Sequence, residues 1–167
     1  RVDEALFKIE QLPGDIRWHF IGKLQKNKTK KVIGKFALIH SVDTIELTEK
    51  ISRLSFERGI MTPILLEANT SGETTKSGLG SDGWKEVYQK LLELEGIKIE
   101  GLMTMAPLTK DELAIRRCFS KLRLLRDQLQ NVGGSLSTLS MGMSNDFSLA
   151  IQEGSTLVRI GTALFSQ

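Results

Sequence analysis

The sequence predicts an α/β fold built on a parallel sheet. Three observations carry that reading. Six short apolar segments alternate with segments of helical periodicity. The apolar segments run without the polar alternation of a half-exposed sheet, as strands covered on both faces do. Glycine or proline marks most of the junctions. A TIM barrel takes eight such units and about 250 residues. Six units beginning in the middle of a helix therefore fit a (β/α)8-type barrel with its first two strands missing, in one partial domain over 1–167. An open doubly wound sheet also takes six strands, and the pattern alone does not separate the two.

Residues 2–12 carry Val2, Leu6, Ile9 and Leu12 near helical spacing, and Pro13-Gly14 ends that helix. Residues 17–21 form an aromatic and β-branched strand closed by Gly22, followed by a short basic helix from Lys23 to Lys31. Residues 37–42 are a buried-type strand. Asp43, with Glu46 three residues on, matches a capping box for a helix with Leu47, Ile51 and Leu54 on one face. The next strand, 62–69, runs into a long polar loop, 70–80. Trp84, Val87, Tyr88, Leu91 and Leu94 mark a helix ended by Gly96. A strand over 97–105 is broken by Pro107. The long helix 110–130 carries Ile115, Cys118, Phe119, Leu122, Leu125 and Leu129 on one face. A strand at 137–141, a helix at 146–153 and a strand at 156–160 complete the series.

Composition narrows the function. A net charge of +3 gives no mandate for nucleic acid, and the lysines from Lys23 to Lys31 read as a solvated helix face. The single cysteine, Cys118, excludes an internal disulfide and a multi-cysteine metal site. It reads as packing. No apolar run approaches the roughly 18 residues of a membrane span. No Ser–His–Asp spacing, metal-ligand cluster or pair of catalytic carboxylates stands out.

The chemistry points to the C-terminal third. Ser140-Met-Gly-Met-Ser144 and Arg159-Ile-Gly-Thr162 each end a strand, one helix apart. In a parallel sheet both open on the same edge, offering backbone N–H groups and the Ser144 and Thr162 hydroxyls to a phosphate. Ordinary glycine turns would read the same way. Arg159 lies inside an apolar strand, where a guanidinium needs acceptors. A structural carboxylate and a ligand are both candidates. His19 and His40, within strands, read as core histidines. Lys76, in the long loop, is either a surface lysine or a gate.

Five segments resemble one known family: W-H-F-I-G-K-L-Q-K-N-K (18–28), A-N-T-S-G-E-T-T-K-S-G (68–78), G-L-M-T-M-A-P (101–107), S-M-G-M-S-N-D-F (140–147) and V-R-I-G-T-A-L-F (158–165). They are similar, in order and across the whole chain, to the pyridoxal phosphate homeostasis proteins (the YggS/PROSC family). The resemblance implies a fold-type III barrel like the N-terminal domain of alanine racemase. It implies a cytoplasmic, monomeric pyridoxal 5′-phosphate-binding protein of vitamin B6 homeostasis, with no robust enzyme activity and with pyridoxal phosphate-dependent enzymes as possible recipients. By motif, Arg159 faces the pyridine nitrogen. Gly161, Thr162 and the Met143–Ser144 turn hold the phosphate, Ser140 lies nearby, and His19 sits near the ring. Members of this family open with a strand ending in the Schiff-base lysine and a second ending in F-G-E-N-Y. Neither segment occurs in this sequence, and Lys23, Lys26, Lys28 and Lys76 do not match that lysine. The expectation is a chain that starts after those strands. The alternatives are a racemase-like enzyme and, from another class, a nucleic-acid module using the basic run.

Overall fold

The computed structural model describes residues 1–73 and 76–165. Its six strands lie in one sheet in chain order, every neighbouring pair parallel. Helix α1 (Val2–Gln11) precedes β1 (His19–Phe20). A 3-10 turn (Lys26–Lys28) and α2 (Thr29–Val32) lead to β2 (Leu38–Val42) and α3 (Ile45–Phe56). Then come β3 (Thr62–Glu67), α4 (Ser81–Leu91), β4 (Ile97–Met103), α5 (Glu112–Val132), β5 (Thr138–Met143), α6 (Phe147–Gln152), β6 (Leu157–Arg159) and α7 (Thr162–Phe165). Among the described residues, no helix is long and apolar enough to cross a membrane.

Sequential order already favours a barrel, since a doubly wound sheet reverses direction at a switch point. Side-chain contacts decide it. His40 on β2 bonds Ser140 on β5 at 2.9 Å. In a flat sheet these strands would lie roughly 14 Å apart, three strand spacings of about 4.8 Å. The sheet must therefore curl, with β2 and β5 facing each other across a concave side. The fold is a six-stranded, curled part of a TIM-like barrel.

The strands bury both faces, as their continuous apolar runs predict. The convex face puts Phe20, Ile39, Ile64, Leu66, Leu102, Leu139 and Met141 into the main core with the helices. Helix α5 adds Ile115, Phe119, Leu122, Leu125 and Leu129, the stripe read from its periodicity. A separate small cluster of Leu38, Leu65 and Met103 occupies the alternate positions, on the concave side. By the same alternation His40, Glu67 and Ser140 share that side, and they lie beyond the apolar cluster or level with its upper end.

Several boundaries differ from the sequence expectation. The cap of α3 is Thr44, not Asp43. Thr44 is extended, and its hydroxyl accepts from the Leu47 N–H at 3.2 Å. The Asp43–Glu46 spacing was thus one residue early. The basic helix shrinks to a 3-10 turn and a single turn of α2, because the backbone is extended at Gln25 before it and leaves the helical region at Ile33 after it. Three of its five lysines have partners: Lys28 and Lys31 pair with Asp3, and Lys26 lies 3.7 Å from Glu46. This partly neutralises the patch a nucleic-acid module would need. Strand β1 keeps only two ladder residues. Strands β3 and β4 stop at Glu67 and Met103, where the Thr104 hydroxyl takes the Ala68 carbonyl at 2.8 Å. Helix α7 has no counterpart in the sequence reading. Thr74 and Thr75, in the 68–78 motif, lie outside the described residues.

Gly101 marks the tightest approach in the sheet. A Cβ there would sit 1.8 Å from the Thr138 carbonyl oxygen, within the β4–β5 pairing. Backbone has to move to admit it, so Gly101→Ala is expected to destabilise by about 1–3 kcal/mol or more. That corresponds to a fall in melting temperature of several degrees. A thermal melt that matches the parent would show that β4 and β5 do not pair in this register.

Candidate functional site

The site is built around Arg159, the last residue of β6. Its Nη1 donates to the Ser140 carbonyl at 2.8 Å and to the Ser140 hydroxyl at 2.6 Å, and its Nη2 donates to the Thr104 carbonyl at 2.9 Å. Burial pulls the guanidinium below its ordinary pKa, while Asp146 and Glu67 act the other way. It stays charged all the same. Neither carboxylate pairs with it at ion-pair distance among the described residues. Of the two partners the sequence left open, the carboxylate is therefore not the one found. Main-chain carbonyls and a hydroxyl hold the charge, and the guanidinium has more donors than these contacts use.

Two histidines extend this network. His40 Nδ1 lies 2.9 Å from the Ser140 hydroxyl, and His40 Nε2 lies 3.0 Å from His19 Nδ1. Burial first, then His19 and Arg159, pull the His40 ring down to about 3, so it is neutral at ordinary pH. Burial, then the Arg17 charge, also lowers His19. His19 shares a register position with Leu38 and is exposed on its edge strand.

The two loops expected to form a cradle do meet. The Ser144 hydroxyl accepts from the Gly161 N–H at 3.3 Å and from the Ala163 N–H at 3.1 Å. One oxygen atom thus bridges the loop after β5 to the start of α7. The Met143 N–H is engaged by the Asp146 carboxylate at 2.6 Å. Gly142, inside β5 at φ +95, lies where the β5–β6 register shifts, just before Met143. These contacts line a cleft of about 370 Å³ that includes Lys76, Ala106, Met143, Ser144, Gly161 and Thr162. Lys76 closes one side. Its Nζ donates to the Ala106 carbonyl at 2.6 Å and lies 3.2 Å from Glu73, tying the loop after β3 to the loop after β4.

His19, Ser140 and Arg159 are thus brought into one hydrogen-bonded group. Met143, Ser144, Gly161 and Thr162 form a second group above it. The donor set suits a phosphorylated heterocycle: amides and a hydroxyl for the phosphate, and a cation beside a ring acceptor. The amides at Gly161 and Ala163 already converge on one oxygen, as they would on a phosphate oxygen. Cys118 is packing, as read, with its sulfur 3.0 Å from the Thr70 hydroxyl. Tyr88 is buried in α4 and bonds the Gly133 carbonyl, away from this group. Among the described residues no cluster of three metal-ligating side chains exists.

Sequence reasoning missed Glu67 and Thr104. Glu67 ends β3 on the concave side and is only 4% exposed, and its carboxylate makes no hydrogen bond with the described residues. The available signal was a charge inside the apolar run Ile64-Leu-Leu-Glu67. Thr104 gave none, because its contribution is a main-chain carbonyl.

Comparisons with known proteins bear on the family and the fold. The family described as "Alanine racemase, N-terminal domain" matches residues 1–167. The pyridoxal phosphate homeostasis protein of Aquifex aeolicus is 47% identical over 169 residues, covering 100% of this chain and 74% of that protein. Its namesake in Synechocystis is 40% identical over 168 residues, covering 99% and 77%. The solved structure of PipY from Synechococcus elongatus with PLP bound matches at a TM-score of 0.89 and 35% identity, covering 99% of this chain and 79% of that one. Alanine racemase of Clostridium difficile matches at a TM-score of 0.81 but 18% identity, over 100% of this chain and 44% of that one, which shows the fold alone.

Burial first, then the neighbouring Asp43, raises the Glu67 carboxyl from 4.5 to about 7. The pH dependence follows. Below about 4.5 the group is protonated folded or unfolded and does not affect stability. As pH rises towards about 7 the unfolded chain releases its proton and the folded chain keeps it, so stability falls. Above that the penalty is complete, of order 2–3 kcal/mol. Glu67→Gln is therefore expected to melt several degrees above the parent at pH 8 and near it at pH 5. Melting curves at both values test this, and an equal gap at each would mean that Glu67 is not strained in the fold.

Proposed function

The chain belongs to the pyridoxal phosphate homeostasis protein family, and from that premise we propose that it holds pyridoxal 5′-phosphate in the concave site between Arg159 and the β5 and β6 loops. The observation that carries this reading is the placement of Arg159. It is a permanent donor, held by β4 and β5, beside a cleft lined with phosphate-type donors.

When bound, the cofactor supplies an aldehyde that condenses with amines and a ring that can withdraw electrons. The chain's residues do the rest. Arg159 would donate to the ring nitrogen and, because it does not release its proton, would keep that nitrogen unprotonated. The Gly161 and Ala163 amides would turn from the Ser144 hydroxyl, which they bond in the structure, to the phosphate, with that hydroxyl as a third donor, and Thr162 and Met143 would wall the cleft. Ser140 holds the guanidinium in place, and His19 lies at the ring's edge. An unprotonated ring is a weak electron sink, so the site favours keeping the cofactor over transforming amino acids on it. We place the protein in vitamin B6 homeostasis in the cytoplasm as a monomer without robust enzyme activity, with pyridoxal phosphate-dependent enzymes as recipients. No feature of the site favours the racemase reading over this one.

The test is a titration with pyridoxal 5′-phosphate followed by its absorbance. Arg159→Ala removes a charged hydrogen bond of about 1.5–3 kcal/mol, so affinity is expected to fall roughly ten- to a hundredfold. Pyridoxal, which lacks the phosphate, should bind the parent at least about tenfold more weakly. Unchanged affinity in Arg159→Ala, with circular dichroism showing an intact fold, would take Arg159 out of the site. Equal affinity for pyridoxal would take the phosphate out of the cleft.

A further inference from the structure

Across the concave side, side chains of β1, β2, β5 and β6 are joined end to end. Arg159 Nη1 lies 2.6 Å from the Ser140 hydroxyl, that hydroxyl 2.9 Å from His40 Nδ1, and His40 Nε2 3.0 Å from His19 Nδ1. The direction of each proton follows from which atoms can accept. A guanidinium only donates, so Arg159 gives a proton to Ser140 Oγ. Ser140 is fully buried, and among the described residues its hydroxyl meets only Arg159 and His40. Its single hydrogen cannot be given to Arg159. It goes to His40 Nδ1, which must then be unprotonated.

A neutral His40 carries its hydrogen on Nε2 and gives it to His19 Nδ1. His19 in turn carries its hydrogen on Nε2. The opposite direction, with His40 Nδ1–H donating to Ser140, strands a buried hydroxyl hydrogen without an acceptor, which folded proteins avoid. Charging His40 would add a buried cation close to Arg159. The charged groups around the pair are Arg159 towards His40, itself faced by Asp146 and Glu67, and Arg17 and Glu100 around His19.

We propose that Arg159, Ser140 and His40 form a directed hydrogen-bond relay that locks both imidazoles as Nε2–H tautomers and presents His19 Nε2–H as a neutral, pre-oriented donor to an acceptor oxygen on the ligand's ring. Ser140 and His40 are positioning residues in this scheme; neither needs to touch the ligand. The relay itself is read from the protein alone. Its ligand clause rests on the proposed pyridoxal phosphate site and concerns an oxygen substituent of the ring, a phenolate or carbonyl oxygen. A tautomer fixed this way offers a donor without adding charge beside Arg159. It therefore selects for an acceptor at that point and against a cationic or donor group there.

The chain has only two histidines, so the test is direct. Long-range proton–nitrogen correlation spectra of the full, ligand-free chain, labelled with nitrogen-15 in its imidazoles, report both tautomers. Expected are two Nε2–H rings at pH 7, with His40 unchanged down to pH 5. An Nδ1–H tautomer at His40, or rapid averaging in both rings, overturns the relay. Ser140→Ala should produce that averaging in both rings, while Ser140→Thr, which keeps a hydroxyl, should restore the lock. A merely structural serine would not move the tautomers. If the alanine variant fails to fold, the parent spectrum decides.

His19→Phe tests the ligand clause: loss of one donor should weaken pyridoxal 5′-phosphate binding by about two- to tenfold. Unchanged affinity removes His19 as a ligand donor. Locked tautomers in a parent chain that binds no pyridoxal 5′-phosphate would instead overturn the proposed function and the ligand clause with it, and leave the relay standing.

Discussion

A guanidinium placed inside a parallel sheet has to be solvated by the protein, and the rest of the concave side depends on how that is done. Left without partners, a charge in that position would cost several kcal/mol. Arg159 finds its acceptors on two other strand ends: the Thr104 carbonyl beyond β4, and the carbonyl and hydroxyl of Ser140 on β5. These bonds tie the ends of β4, β5 and β6 together. They fix the depth at which β6 stops, and hence where Gly161 and α7 begin. With β6 placed, the Ser144 hydroxyl can reach the Gly161 and Ala163 amides and align the two loops. The cleft is thus a consequence of where one charge was buried.

The concave side is divided along the strand direction. Leu38, Leu65 and Met103 make a dry cluster. Beyond it and level with its upper end lie His40, Ser140, Arg159 and Glu67. The division keeps charge separated from the apolar cluster while leaving it in a low-dielectric setting, where hydrogen bonds and Coulomb forces are strong. Its two histidines are held neutral, so that the permanent positive charge is concentrated on Arg159. Glu67, brought to about 7, is the adjustable counter-charge. A phosphorylated ligand brings its own negative charge and meets a site whose negative member is poised to take up a proton.

Strand number and the buried stripe of α5 were legible in the sequence, because continuous apolar runs and a 3.6-residue period each have one physical cause; strand order was not, since a barrel and a doubly wound sheet fit the same pattern. The curl of the sheet was not. It depends on a contact between His40 and Ser140, a hundred residues apart, and nothing local encodes such a contact. That the two C-terminal loops meet could be foreseen, because each follows a strand of one parallel sheet; a phosphate role could not be told from ordinary glycine turns by residue type alone. The occupant of the Gly161 and Ala163 amides, a serine hydroxyl, could not be foreseen from type and spacing. Glu67 was visible as a charge in an apolar strand, yet its significance required knowing which face it was on. His40 was read as a core histidine and is one, bonded at both ring nitrogens; which partners it takes shows only in the fold.

On the proposed function, a fold shared with alanine racemases serves a different end. Structures at 18% identity or below establish the barrel and nothing of the chemistry. Racemisation needs proton donors and acceptors placed on both sides of a reacting carbon, with pKa values near the working pH. Among the described residues, His40 is pulled far below that range and is bonded at both ring nitrogens. Tyr88 is committed to the helix layer. Glu67 has the right pKa but lies at the end of β3, with Arg159 as a counter-charge across the same face. What the concave side offers in quantity is fixed donors: a guanidinium, backbone amides, a hydroxyl and, on the proposed relay, one imidazole N–H. Fixed donors bind and orient an acceptor-rich ligand without supplying a base to act on it. This chemistry supports the proposed role of holding the cofactor.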